Sequence, residues 1–199
     1  MKNYLTYYYT KGTEPFRSLS ALPDDEAIRV MEALYEEFHD SILFERFKNP
    51  VGYLKERRNT EYWVREAFMM KGGTPQAVYP ISMVLGESAW ITRHAPDPAR
   101  HGELRIPLAI FQESDVSFTF PDSMVSYWLG LEKPAPYYLP DYHGRVFTRA
   151  EILAIVAERG LPEATWNVQL PPDLGTYIEA QVWNHALLRQ FIDSLYEKS

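Results

Sequence analysis

The sequence predicts an α+β fold, in which a small, mainly antiparallel sheet is packed with about four helices in a single domain. Strand-like alternation and helix-like spacing of apolar residues occur in separate segments, without the regular strand–helix alternation that builds a parallel sheet. The length of 199 residues fits one domain spanning 1–199. Apolar residues make up 46% of the chain and charged residues 24%, which is typical of a globular protein with a packed core.

Four helices are predicted from their start and stop signals. They begin at Pro23, Asn49-Pro50, Thr148 and His185. Proline and a capping side chain are favoured at the first positions of a helix, and Thr148 and Glu151 have the spacing of a capping box. The second helix is predicted to end near Met70, because Gly72-Gly73 can adopt the backbone angles that end a helix.

Five short segments rich in β-forming residues are predicted to be strands. They span residues 3–9, 81–85, 104–108, 116–120 and 177–183. Pro107 favours the end of a strand or a sheet edge, since proline cannot donate a hydrogen bond to a neighbouring strand. For residues 177–183 helical spacing fits almost as well as alternation, so both structures remain open there.

The composition excludes several classes of site and predicts a soluble, unexported, cytoplasmic protein. The chain has no cysteine, which removes disulfides, thiolate nucleophiles and cysteine-ligated zinc. No apolar run approaches the roughly 20 residues that cross a bilayer, and the first residues lack the apolar region of a signal peptide. We therefore expect no membrane association.

The charge distribution disfavours nucleic acid as a partner. The net charge is −7, and most of the acidic excess lies in the second half of the chain, where it would repel a phosphate backbone. The basic residues Lys55, Arg57 and Arg58 are interleaved with Glu56 and Glu61. This pattern is typical of a solvated helix face.

No motif specifies a phosphate loop or a metal centre. The paired glycines follow a helix instead of preceding one, unlike the glycines of nucleotide-binding loops. His94, Asp97 and His101 have a loose ligand-like spacing, and Asp141 with His143 could complete the set. Because the predicted loop 92–102, which carries the first three, is rich in proline, it does not present them on one helix face. We interpret these side chains as solvated and predict no metal site.

The stretch 115–151 mixes aromatic rings with hydroxyls, carboxylates and an imidazole, which is how polar pockets are built. The candidate ligand-binding residues are Ser117, Thr119, Asp122, Ser123, Tyr142, His143 and, later in the chain, Gln181. A packed aromatic core under a long loop is the alternative. The same stretch holds the residue types of a serine hydrolase, but Ser123 lacks the glycine-flanked turn that exposes a nucleophile. Capping of a helix would also explain Asp122 and Ser123.

Glu179 is the candidate catalytic residue. It would share one face of a late strand with Gln181, and a carboxylate lining a cleft can hold a ribose hydroxyl or stabilise an oxocarbenium-like centre. Together with the first strand ending in Tyr9-Thr10 and the segment Ser117–Thr119, this arrangement resembles the glutamate-bearing late strand of ADP-ribosyltransferases, over three short segments. The resemblance implies a nucleotide-dependent transferase. Alternatively, the two side chains form the solvent-facing side of an antiparallel strand.

The Tyr- and Pro-rich loop 134–143 supports a third interpretation, a protein-interaction module. Tyr137, Tyr138 and Tyr142 could form a docking surface, because tyrosine is enriched at the centres of interfaces. Equally, these rings could cover the domain's own core. The sequence thus leaves three interpretations open: a polar-pocket protein that binds a small polar ligand or nucleotide, a transferase, and an interaction module. It specifies neither a cofactor nor an oligomeric state.

Overall fold

A computed structural model describes residues 3–134, 136–162, 171 and 174–197. The five strands are β1 (Tyr4–Thr10), β2 (Ile81–Leu85), β3 (His101–Pro107), β4 (Val116–Thr119) and β5 (Glu179–Val182). The helices of the described residues are α1 (Asp24–Glu37), α2 (Pro50–Met70), α3 (Ala89–Arg93), α4 (Ser123–Glu132), α5 (Arg149–Arg159) and α6 (His185–Tyr196). The predicted α+β class is confirmed.

All strand pairs of the sheet are antiparallel, in the order β3-β1-β2-β5-β4. Pro107 is the last residue of the edge strand β3, as its missing N–H requires. Of the segment 177–183, left open between strand and helix, Glu179–Val182 is a strand, since β5 pairs with β2 on one side and with β4 on the other. In that register Glu179 lies between Val84 and Thr119.

One face of the sheet is apolar and carries the main core. Leu5, Phe118 and Val182 are among its fully buried side chains. Ile152 of α5 and Leu188 of α6 belong to the same cluster, so these two helices cover this face. Alternation along the strands places the polar side chains of β4 and β5 on the opposite face.

The opposite face packs against α2 and is buried as well. Trp183, which follows β5, forms a second cluster with Val64 and Phe68 of α2. Helices α1 and α4 lie against α2 in the same layer. The sheet is therefore covered by helices on both sides, and the polar side chains of its second face lie in the interior.

Local signals place several elements where they were predicted. Asn49 caps α2 by accepting a hydrogen bond from the amide of Gly52 at 3.1 Å, and the helix ends at Met70. Thr148 and Glu151 form the predicted capping box of α5. Strand β2 has the predicted bounds, because its ends are set by neighbouring proline and glycine residues.

Helix α4 was not predicted. Asp122 caps it through two hydrogen bonds of 3.1 Å from the amides of Met124 and Val125, which confirms the capping interpretation of Asp122. The helix carries apolar side chains around most of its circumference, so it lacks the one-sided stripe that predicts a helix. Gly130 allows its close approach to Gly144, where a Cβ would come within 2.4 Å of the facing Cα.

The segment 92–102, predicted to be a loop, contains the end of α3 and the start of β3. The described residues form six helices instead of the predicted four or so, because α3 and α4 were not predicted. Throughout the described part of the chain, no helix has both the length and the apolar character needed to cross a bilayer.

Candidate functional site

A cavity of about 220 Å³ opens between the polar face of the sheet and the helices that cover it. We call it the inner cavity. It is lined by Thr6, Tyr8, Arg46, Tyr53, Arg57, Ser82, Met83, Val84, Ile91, Asp122, Ser123, Met124, Tyr177 and Glu179. Strands β1, β2 and β5, helices α2, α3 and α4 and the short helical turn Glu45–Lys48 all contribute to it. The cavity thus gathers charged and hydroxyl-bearing side chains from distant parts of the chain.

Two guanidinium groups meet at one tyrosine hydroxyl of the inner cavity. Arg57 Nη1 donates to the hydroxyl of Tyr53 at 3.2 Å, and Arg46 also lies within hydrogen-bonding reach of it. Arg46 Nε donates to the carbonyl of Leu43 at 2.8 Å, which fixes this exposed side chain at the cavity mouth. Guanidinium groups bind carboxylates and phosphates through several directed N–H donors.

Arg57 forms an ion pair with a buried carboxylate. Its Nε lies 2.9 Å from an oxygen of Glu61, whose side chain is 3% exposed, and it also donates to the Ser20 hydroxyl. Burial raises the pKa of Glu61, while the charge of Arg57 opposes that shift. The prediction that Arg57 and Glu61 lie on a solvated helix face is wrong. Positions 53, 57 and 61 form one polar stripe along α2, because they are spaced at i, i+4 and i+8; Tyr53 and Glu61 are buried and Arg57 is half-buried.

Glu179 lines the inner cavity and is 5% exposed. One carboxylate oxygen accepts a hydrogen bond of 2.5 Å from the amide of Ser123, at the first position of α4. Burial raises the pKa of Glu179, the nearby charge of Asp122 raises it further, and hydrogen bonds from Ser82 and Ser123 oppose the shift. A carboxyl group with a raised pKa in a cavity can exchange a proton with a ligand hydroxyl. The alternative that Glu179 and Gln181 face solvent is wrong, because both are buried.

Tyr177 stands at the cavity wall just before β5. Burial raises the pKa of its phenol well above the ordinary value, and the charges of Asp122 and Glu179 act in the same direction. The phenol is therefore protonated at neutral pH and available as a hydrogen-bond donor. Its ring lies 6.3 Å from that of Trp90 in α3.

Three of the predicted ligand-binding residues form an internal hydrogen-bond network instead of lining the cavity. The hydroxyl of Ser117 donates to the side-chain oxygen of Gln181 at 2.9 Å, and the Gln181 amide donates to the hydroxyl of Thr119 at 2.9 Å. The indole N–H of Trp183 donates to Ser117 at the same distance. All four side chains are at most 1% exposed, so the network ties β4 to β5 inside the protein.

Tyr142 and His143 lie apart from the inner cavity, beside Phe120. The His143 ring stacks on Phe120 at 5.9 Å, and its Nδ1 accepts a hydrogen bond of 3.0 Å from the amide of Leu139. Tyr142 meets the same phenylalanine edge-on at 6.2 Å. Burial lowers the pKa of His143 to about 4, so the ring is neutral at physiological pH.

The structure therefore divides the predicted set. Asp122, Ser123 and Glu179 meet in the inner cavity, whereas Tyr142 and His143 pack against Phe120. The loop residues Tyr137 and Tyr138 are half-buried, with the Tyr138 ring 6.0 Å from that of His143. Across the described residues, no three His, Asp or Glu side chains are grouped as metal ligands would be.

Sequence reasoning missed the basic and tyrosine side chains of the cavity. Arg46, Tyr8 and Tyr53 carry no motif, and each comes from a different element. Two signals were present. Alternation on β1 puts Thr6 and Tyr8 on the face opposite Leu5, and the spacing of the polar residues of α2 marks one face of that helix.

Comparisons with protein-family models, with curated proteins and with solved structures found no match for this chain. The candidate function of the chain therefore rests on the chemistry of the inner cavity alone.

Proposed function

We propose that the inner cavity binds a small, polar anion that also carries hydroxyl groups, such as a sugar phosphate or a nucleotide. Arg46 and Arg57 would take the anionic group, and Glu179 would accept a hydrogen bond from a ligand hydroxyl. The cysteine-free composition is compatible with a cytoplasmic setting for this function.

This proposal depends on one observation: the same cavity is lined by Arg46, Arg57 and Glu179. Local electrostatics support an anion even though carboxylates are present. The Asp122 carboxylate accepts two backbone hydrogen bonds, which hold its charge at the start of α4. Because its pKa is raised, Glu179 favours the neutral form more than an exposed glutamate does at the same pH. Arg46 at the mouth is thus placed to meet an incoming anion.

Thermal-shift screening against inorganic phosphate, sugar phosphates and nucleotides would test the proposal first. A ligand at a hundredfold its Kd adds about 2.7 kcal/mol to the free energy of unfolding. For a chain of this length that corresponds to a rise in Tm of roughly 5–10 °C. Isothermal titration would then give the Kd of each hit.

Arg46→Gln is the variant of choice, because Arg46 is exposed and its removal leaves no buried charge unpaired. A hydrogen bond to a charged group contributes about 1.5–3 kcal/mol, so the affinity should fall by roughly tenfold or more. Arg189→Gln makes the same charge change on an exposed position of α6, across the sheet, and should bind like the wild type. Equal affinities of the two variants, or no hit in the panel, would contradict the proposal.

A transferase that uses Glu179 is the second candidate, favoured by the position of this buried carboxylate in the cavity wall. Its charge would stabilise the positive charge that develops on a sugar carbon as the leaving group departs with the bonding electron pair. The oxygen of an acceptor hydroxyl would then form the new bond to that carbon, and its proton would pass to the leaving group. Glu179→Gln should abolish turnover of a nucleotide-linked sugar while leaving the fold intact. Asp115→Asn, a buried carboxylate outside the cavity, is the matched control.

A further inference from the structure

A second cavity of about 430 Å³ continues the inner cavity outward. We call it the outer cavity. The two share Arg46, Tyr53, Asp122, Met124 and Tyr177. Beyond these, the outer cavity adds the apolar side chains of Ile42, Trp90, Val125 and Leu174 and the polar side chains of Glu45, Asn49 and Glu56. Because the walls are shared, the two cavities form one cleft, which is polar at its inner end and combines apolar and aromatic side chains with polar ones at its outer end.

Two aromatic rings form a platform in the outer cavity. The rings of Trp90 and Tyr177 lie 6.3 Å apart with an angle of 35° between their planes. Gly175 makes this contact possible, since a Cβ there would come within 2.7 Å of the Tyr177 ring and 2.9 Å of the Trp90 ring. Trp90 is half-buried, so part of its surface faces the cavity. Flat ligand rings bind to such surfaces by stacking.

Arg46 stands where the two cavities meet. It lines both, and its anchoring to the carbonyl of Leu43 keeps the guanidinium at the junction. An anionic group bound there would have the aromatic platform on one side and Glu179 on the other. The cleft therefore presents three kinds of contact in a fixed order along its length: aromatic, cationic and hydroxyl-binding.

We infer that the cleft binds a nucleotide whose phosphate is linked to a second, hydroxyl-bearing group. The base would stack on Trp90 and Tyr177, the phosphates would meet Arg46, and the terminal sugar would reach Glu179. This inference rests on the proposed anion binding and specifies the ligand class of the same site. A cleft with these two volumes lies within the range that holds such molecules, roughly 300–1,000 Å³.

Titration with ADP-ribose and with its two halves, AMP and ribose 5-phosphate, tests the order of contacts. The whole molecule should bind more tightly than either half, because it reaches both ends of the cleft. Trp90→Leu should weaken ADP-ribose and AMP by roughly 5–150-fold, the range expected for one stacked base, and leave ribose 5-phosphate unchanged. Trp90→Phe keeps a ring and should restore most of the loss.

Trp128→Leu is the matched control, since Trp128 is 42% exposed on α4 and lies outside both cavities. Circular dichroism and urea unfolding would establish that each variant folds, and Trp90→Met, which also removes the aromatic ring, supplies the test if Trp90→Leu does not fold. The inference would be overturned, and the proposed anion site left standing, if ribose 5-phosphate bound as tightly as ADP-ribose and removal of the Trp90 ring changed the affinity for none of the ligands. Failure of all three ligands to bind the wild type would overturn both.

Discussion

Replacing Glu179 by glutamine tests whether the charge in the inner cavity serves folding. Glu179 accepts the amide hydrogen of Ser123 at 2.5 Å, and the side-chain oxygen of glutamine can accept the same bond. The substitution removes the negative charge and turns the second oxygen into an NH2 donor, for which the neighbouring Ser82 hydroxyl can act as acceptor. Burial together with the neighbouring Asp122 raises the pKa of the carboxyl group that is lost. We therefore expect Glu179→Gln to be at least as stable as the wild type at neutral pH.

The direction of the pKa shift fixes how this difference varies with pH. A carboxyl group whose pKa is higher in the folded than in the unfolded chain is protonated in both states at low pH, where it does not affect stability. Above pH of about 4.3, the ordinary value for glutamate, the unfolded chain ionises first. The free energy of unfolding of the wild type should then fall relative to that of Glu179→Gln, by about 1.4 kcal/mol for each unit of pKa shift.

Glu179→Ala provides the matched comparison, because it leaves the Ser123 amide buried without its acceptor. That loss is expected to cost about 1–3 kcal/mol at every pH. Urea unfolding followed by circular dichroism between pH 4 and 8 would measure all three proteins. If Glu179→Gln lost stability relative to the wild type as the pH rose, the carboxylate would be stabilising the fold, and the reasoning would be refuted.

Three further substitutions test the structural roles assigned above, each by urea unfolding. His143→Gln should flatten the acid side of the plot of unfolding free energy against pH. In the wild type the pKa of His143 is lowered to about 4, so the free energy of unfolding decreases as the pH falls from about 6.5 towards that value. An unchanged profile would contradict this. Ser117→Ala should lower the free energy of unfolding by about 2–4 kcal/mol, since it leaves the indole N–H of Trp183 and the side-chain oxygen of Gln181 without this hydrogen-bond partner. The Kd for ribose 5-phosphate should be unchanged. Thr148→Ala removes a helix cap and should cost about 1 kcal/mol, and no loss would rule out that cap.

Local chemistry explains the parts of the fold that could be predicted. The bounds of α2 follow from Asn49 and Pro50 at one end and paired glycines at the other, all of which act within one helical turn. Strand β2 was predictable for the same reason. Helix α4 was not, because its apolar residues surround the helix and its only clear local signal is the cap at Asp122.

The cavity could not be predicted because no single segment contains it. Tyr8, Arg46, Arg57 and Glu179 come from four elements, which the strand order and the packing of α2 bring together. Arg57 illustrates the difficulty. Its alternation with acidic neighbours is typical of an exposed helix face, yet Arg57 is half-buried and pairs with the buried carboxylate of Glu61. Only the tertiary structure distinguishes the two cases.

Folding alone does not account for a carboxyl group at position 179. Gln181 lies two residues further along β5 on the same face, and its neutral amide satisfies the hydroxyls around it. The oxygen of an amide at position 179 could also accept the Ser123 hydrogen bond, whereas a carboxylate there carries the free-energy penalty of a buried charge. The inner cavity distinguishes the two positions, because Glu179 lines it and Gln181 does not. Under the proposed function, the carboxyl group at this position serves to bind the hydroxyl group of the ligand.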